Sequence, residues 1–172
     1  MLIGMTGKAG AGKDTSADYL VEHYGFKKLS FAGPLKAMLA AGGFPEPADR
    51  ELKEQAVPGF DFTWREAAQK LGTEWGRSLD TNIWTKIVKC QIINSPHSYV
   101  LSDVRHNNEA DMIRELGGLI LHIEGKQANL GSNSGHSSEA GVDFVTGDRT
   151  VDNSTSHTYL HAQLQSLMDY CI

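Results

Sequence analysis

Cysteine is scarce in this chain. There are two in 172 residues, Cys90 and Cys171, far apart and forming no ligand-like pair. That excludes a disulfide-stapled scaffold, and both read as reduced thiols of a cytoplasmic protein. No apolar run approaches the ~18–20 residues that a membrane-spanning helix needs. No cationic, apolar leader opens the chain either, since Met1-Leu2-Ile3 runs straight into a glycine-rich stretch. Basic charge is also short. Lys plus Arg number 16 against 21 Asp plus Glu, a net charge of −5, which is not the footprint of a general nucleic-acid binder. His157 and His161 lie one helical turn apart but have no third ligand beside them, so they read as a solvated helix face rather than a metal site. The partners left are small molecules, with no nucleic acid and no membrane; a monomer and a homodimer both fit.

What is present is a regular alternation. Leu2, Ile3 and Met5 form an apolar opening strand, and Ala17, Leu20, Val21 and Tyr24 fall at helical spacing between about Lys13 and Tyr24, with Gly25 as the stop. Phe26 to Ala32 reads as a second strand. Gly33-Pro34 opens a helix through about Ala41, proline being suited to a first turn. Residues 42–62 are irregular, and helical patterns follow at about Thr63–Gly76 and Asp80–Ile93. Thr63 with Glu66 three residues on is a capping box. Tyr99–Ser102 is a short buried strand, Asn108–Leu116 a helix, and Leu119–Ile123 another buried strand. Gly125–Gly141 is rich in Gly, Ser and Asn and reads as a loop. A last strand falls within Val142–Val151, and Ser156–Tyr170 is a closing helix. Strands alternating with helices imply an α/β fold: a three-layer arrangement with a parallel sheet covered on both faces and functional loops at the carboxyl ends of the strands.

The strongest motif is Gly7-Lys8-Ala9-Gly10-Ala11-Gly12-Lys13-Asp14-Thr15, which matches G-x-x-x-x-G-K between a strand and a helix. Glycines let successive backbone N–H groups converge on phosphate oxygens, and the helix N-terminus adds its partial positive charge. Lys13 supplies a point charge for β- and γ-phosphates. A Ser or Thr hydroxyl that ligates Mg²⁺ commonly follows the lysine. Here Asp14 follows, with Thr15 next, and either can serve the metal. A second cluster, Ser102-Asp103-Val104-Arg105, closes a buried strand. It puts Asp103 at the sheet edge as a metal or substrate partner and Arg105 where bidentate phosphate recognition is possible. Arg65, Gln69 and Thr73 recur every four residues and form one polar helix stripe. From composition alone that stripe reads as a solvated face, and Trp64, Trp75 and Trp84 read as core before base-stacking groups.

These segments together resemble the deoxynucleoside monophosphate kinases of bacteriophages. The resemblance rests on Gly7–Thr15, Leu29-Ser-Phe-Ala-Gly-Pro34-Leu-Lys36, Arg65…Gln69-Lys-Leu-Gly72-Thr73-Glu74, Trp84, Ser102-Asp103-Val-Arg105…Asn108-Glu109-Ala110 and His136-Ser-Ser-Glu139-Ala-Gly141, in order along nearly the whole chain. It implies a P-loop NTPase fold with a helical monophosphate-binding insertion at about 42–98 and a short lid at about 125–141. It also implies transfer of the γ-phosphoryl of ATP, with Mg²⁺, to a deoxynucleoside monophosphate. Arg65 and Thr73 become acceptor-site residues by this resemblance, followed by Lys36, Gln69, Arg77 and Trp84. His136 and Glu139 order the lid or contact nucleotide. Family members carry Arg-Pro where this chain has Glu124-Gly125, and Lys126 is the one basic residue of the lid segment. The rival expectations are a small-molecule kinase acting on dephospho-coenzyme A or a ribonucleoside monophosphate, and a nucleotide switch without catalysis.

Overall fold

The computed structural model describes residues 1–49, 51–125 and 141–171. Among them, five strands form one all-parallel sheet: β1 (Leu2–Thr6), β2 (Lys27–Leu29), β3 (Tyr99–Leu101), β4 (Leu119–Gly125) and β5 (Arg149–Asn153). Their spatial order is β2-β3-β1-β4-β5. The helices are α1 (Lys13–Tyr24), α2 (Gly33–Ala41), α3 (Trp64–Gln69), α4 (Arg77–Leu79), α5 (Ile83–Ile93), α6 (Asn107–Glu115) and α7 (His157–Cys171). Two compact units result. Met1–Leu29 with Ile92–Ile172 carries the sheet, and Ser30–Gln91 is mainly helical. No helix among the described residues is long and apolar enough to cross a membrane.

In the sheet unit, strand alternation sorts the apolar residues onto two faces. Ile3, Met5, Val100, Leu121, Ile123 and Val151 pack against Ala17 and Leu20 of α1 and Leu160, Leu164 and Met168 of α7. The opposite face of β1 meets α6: a Cβ on Gly4 would stand 2.5 Å from Ile113 Cδ1 and 2.8 Å from Ile120 Cδ1. The unit is therefore the expected three-layer α/β arrangement, and β1 is buried along its whole length because helices cover both its faces. The chain leaves β1 through α1 toward β2 on one side, and leaves β3 through α6 toward β4 on the other. Connections diverge between β1 and β3, so the loops after these two strands are neighbours at the carboxyl edge, where α/β proteins bind ligands.

The structure moves three expected boundaries. β2 stops at Leu29 instead of running to Ala32, because the Ser30 carbonyl and Oγ accept from Gly33 N and Ala32 N and turn the chain toward α2. β4 continues to Gly125, and β5 begins within Val142–Val151 at Arg149 but runs past it to Asn153, since Asp152 and Asn153 are polar yet pair with Glu124 and Gly125. In the helical unit the Thr63 capping box forms as expected, with Glu66 N to Thr63 Oγ1 at 3.1 Å and Thr63 N to Glu66 Oε2 at 2.7 Å. Beyond Gln69 the helix becomes π-helical over Lys70–Gly76, and this change was not legible in the sequence.

The segment before β5 is held by one buried carboxylate. Asp148 accepts from Arg114 (2.7 Å), His122 Nε2 (3.1 Å) and Val145 N (3.0 Å). Burial pushes its carboxyl up, but these donors outweigh burial and hold it down at about 2. A depressed carboxyl stabilises the fold above its ordinary range and loses that contribution as pH falls through the folded value. Asp148→Asn is therefore expected to cost about 2 kcal/mol near neutral pH, and the gap from wild type to shrink as pH drops from about 4 toward 2. Urea unfolding at pH 7, 5, 4 and 3 measures this. A gap that stays constant across the series contradicts it.

Candidate active site

The glycine-rich stretch after β1 wraps the N-terminus of α1. Gly12, in the left-handed region at φ 98°, precedes the helix, and Ser16 Oγ donates back to Gly12 O at 2.9 Å, so the first turn is tied to the loop. Lys13 folds over the same loop and donates Nζ to the carbonyls of Gly7 (2.6 Å) and Lys8 (2.8 Å). Burial, and then the neighbouring charge of Arg105, lower the Lys13 ammonium below the usual lysine range, although Asp14 pulls the other way. Two cations held near each other gain from any polyanion placed between the loop and Arg105. Gly7, Lys8, Ala9 and Gly10 are exposed and Ala11 is buried, so the outer part of the loop is open to a ligand.

Asp14 is not loose beside the lysine. Its Oδ1 accepts from Ser102 Oγ at 2.7 Å and pairs with Lys28 Nζ at 3.1 Å, and Lys28 also reaches Asp18 at 2.8 Å. Burial raises the Asp14 carboxyl, but Ser102, Lys28 and Lys13 together bring it below the ordinary carboxylate range. The strand-end residue that meets Asp14 is thus Ser102, while Asp103 sits half-buried next to it and Thr15 is exposed on the first turn. Asp14 and Ser102 bring two hard oxygens together next to Lys13, a donor type that suits a magnesium ion. The set is right for that ion, which keeps most of its waters and takes one or two carboxylates plus phosphate oxygens. The described residues contain no group of three or more His, Cys, Asp or Glu able to cage a metal by themselves.

Arg105 is set by its backbone. The buried Glu109 carboxylate accepts from Arg105 N (2.8 Å) and His106 N (3.1 Å), which caps α6 and fixes the turn after β3. Two further contacts act on the loop from the far side. Asn153 Nδ2, at the end of β5, donates to Ala11 O at 2.9 Å. Gly125, at the end of β4, has no room for a side chain: a Cβ there would stand 2.6 Å from Ala11 O and 2.7 Å from Ala11 Cα. Lys28, Asn153, Gly125 and the loop-facing role of Ser102 were missed from the sequence. The rule that placed Asp103, ligand groups at the carboxyl ends of parallel strands, reaches Asn153 equally once β5 is known to extend to residue 153.

In the helical unit, Arg65, Gln69 and Thr73 are all exposed. Arg65 and Gln69 lie on α3, while Thr73 lies in the π-helical segment that follows. Arg65 is ion-paired with Glu54, and Lys36 with Glu46 at 3.0 Å. Arg77 is partly buried and donates to Thr81 O at 3.4 Å. Trp84 is 4% exposed and presents no open ring face. Its Nε1 donates to Gly72 O at 2.8 Å, and its indole lies where a Gly76 Cβ would have to go. Trp64 is also buried, and only Trp75 of the three is well exposed. His136 and Glu139, with the expected lid apart from Gly125 and Gly141, lie outside the described residues.

Residues 54–164 match the family model for deoxynucleotide monophosphate kinase. The chain belongs to that family. It is 31% identical over 190 aligned positions, covering 98% of this chain and 96% of the relative, to a protein of Acanthamoeba polyphaga mimivirus provisionally named deoxynucleotide monophosphate kinase. It is 23% identical to the deoxynucleotide monophosphate kinase of Enterobacteria phage T4, with 97% and 98% of the two chains covered. A solved structure from Thermus thermophilus aligns over 100% of this chain and 98% of its own at TM-score 0.57 and 18% identity, a likeness of fold. This kinase is therefore a nucleotide phosphotransferase of the α/β type. The family match takes in the Arg65–Arg77 segment, Trp84, Asp103, Arg105, Glu109 and Asn153, but it begins after the phosphate loop, which stands on its own geometry.

The Trp84 contact is testable apart from activity. Trp84→Phe removes the donor to Gly72 O while keeping most of the ring, and leaving a buried carbonyl unpaired costs about 1–3 kcal/mol. Urea unfolding is expected to show a loss of that size, and an unchanged midpoint would contradict the contact.

Proposed function

We propose that this kinase transfers the γ-phosphoryl of ATP to the 5′-phosphate of a deoxynucleoside monophosphate, giving ADP and the diphosphate. The observation that carries this is the pairing of Lys13 and Arg105 at one sheet edge, in a chain of the deoxynucleotide monophosphate kinase family. An oxygen of the acceptor phosphate attacks the γ-phosphorus in line, the bond to the bridging oxygen breaks, and ADP leaves with the electron pair. Catalysis is then positioning and charge neutralisation, with little covalent work for the protein.

The backbone N–H groups of Gly7–Thr15 hold the donor phosphates. Lys13 turns from its two loop carbonyls to the β- and γ-phosphates, a single exchange of acceptors for one ammonium. Arg105 spans the transferring group or the acceptor phosphate, as suits a planar guanidinium. Asp14 with Ser102, and Thr15 and Asp103 beside them, would hold Mg²⁺. When bound, that ion would supply positive charge to offset the negative charge of the transferring group. In the helical unit Arg65, Gln69, Thr73, Arg77 and Lys36 hold the acceptor, Arg65 giving up Glu54 for the more highly charged phosphate. Trp84 serves them from behind, through Gly72. Residues of about 42–98 act as the acceptor insertion and about 125–141 as a lid, where His136 and Glu139 order the segment or contact nucleotide. The kinase acts on small molecules in the cytoplasm, host cytoplasm if virally encoded, as its viral relatives suggest.

Release of ADP from ATP–Mg²⁺ is measured with dAMP, dGMP, dCMP, dTMP, their ribonucleotide counterparts and dephospho-coenzyme A, each alone. Release that depends on deoxynucleotides is the expected result. Release with dephospho-coenzyme A or ribonucleotides alone, or none with any acceptor, overturns the proposal, the last in favour of a nucleotide switch. Lys13→Met is expected to lower acceptor-dependent release at least about 100-fold, as loss of a transition-state charge contact does. Full activity in that variant contradicts the assignment of Lys13.

A further inference from the structure

We propose that Asn153 is a positioning residue for the phosphate loop: its side-chain amide fixes the Ala11–Gly12 peptide so that the Gly12 N–H is presented to phosphate. The inference rests on reading Gly7–Thr15 as the donor-phosphate site.

Three observations support it. Asn153 Nδ2 donates to Ala11 O at 2.9 Å, from the last residue of β5 and across 142 residues of sequence. A peptide unit is planar and trans, so a carbonyl held toward β5 sends the N–H of the same unit the opposite way. Gly12 is a glycine in the left-handed region, where the backbone rotates at little cost, and this peptide therefore needs an external hold. Its Cβ position, moreover, is taken by the Asn153 amide nitrogen. The strand end that carries Asn153 is held on its outer side at the preceding residue, Asp152. Gln163 of α7 accepts from Asp152 N at 3.0 Å and donates to Asp152 O at 2.7 Å, supplying on the outer side of β5 the hydrogen bonds that a further strand would make. Asp152 Oδ1 in turn accepts from Ser154 N at 2.7 Å and closes the turn after the strand. A continuous set of contacts thus runs from α7 through β5 to the loop.

The chemistry requires a donor at this position. With a carbonyl oxygen turned into the cradle, the loop would face a phosphate with negative charge. An oxygen in place of Nδ2 would repel Ala11 O and favour that flip. The three side chains should therefore rank Asn, then Ala, then Asp in nucleotide affinity, although Asn and Asp are nearly the same size. A residue that merely packed would rank Asp beside Asn and above Ala.

The test is calorimetric titration of ADP into wild type, Asn153→Ala and Asn153→Asp, with thermal unfolding of each recorded alongside. The expected result is affinity reduced at least fivefold in the alanine variant and at least twentyfold in the aspartate variant, with the apparent KM for the deoxynucleotide acceptor within twofold of wild type. Affinities within twofold of wild type in both variants, or alanine the weaker of the two, would overturn the proposal. If the aspartate variant does not fold, the alanine variant decides at the fivefold threshold. Failure of the wild-type chain to bind ADP at all would instead overturn the phosphate-loop reading, and this inference with it.

Discussion

The phosphate loop keeps its shape because two other strand ends leave it no space to take another. A Cβ on Gly7 would run into the Ile123 carbonyl, and a Cβ on Gly125 would stand 2.6 Å from Ala11 O. Backbone thus lies on backbone at the carboxyl edge of β4, and Asn153 closes the third side from β5. The rest of the donor site depends on that contact. It sets where α1 begins, where the helix N-terminus aims its N–H groups, and how far Lys13 must reach to find the Gly7 and Lys8 carbonyls. A sheet of parallel strands is well suited to this, since every strand ends on the same edge and each can contribute one wall.

The electrostatics work on the same small scale. The chain as a whole carries −5, yet the edge of the sheet holds Lys13, Lys28 and Arg105 within one neighbourhood. Lys28 is compensated by Asp14 and Asp18. Lys13 is left with two carbonyl acceptors, and burial, then the repelling charge of Arg105, hold its ammonium below its usual range. A bound triphosphate reverses that penalty, so an acidic protein can still bind a polyanion tightly. A net negative charge over the whole chain does not exclude a phosphate site built from a few locally placed cations.

Much of this was legible in the sequence. The alternation of strands and helices, the G-x-x-x-x-G-K loop between β1 and α1, and the Asp-x-Arg cluster after β3 follow from periodicity and spacing. What was not legible depends on neighbours distant in sequence. Ser102 carries no signal of its own in the sequence, and only the parallel pairing of β1 with β3 brings its hydroxyl to Asp14. Asn153 lies at the end of a strand whose last two residues are polar, so hydrophobic pattern stopped the strand short of it. Glu124-Gly125 stood out as a departure from Arg-Pro, and the structure supplies its physical use, a close approach that a side chain would block. The π-helical segment carries no signal of its own. It is enforced by Trp84, whose indole occupies the side-chain space of Gly76 and whose N–H takes the Gly72 carbonyl.

The account turns on the backbone contact between β4 and the loop, and one substitution tests it directly. Gly125 does not need a positive φ, so Gly125→Ala adds a methyl group without straining its own backbone. The measurement is the ADP dissociation constant of that variant against wild type, with urea unfolding as a check that the core is intact. The account expects at least tenfold weaker binding in a variant that still unfolds cooperatively, though at a lower midpoint, because the methyl group displaces Ala11, a buried member of the core. Wild-type affinity in the alanine variant would contradict it and would mean that the loop keeps its shape without the wall that β4 provides.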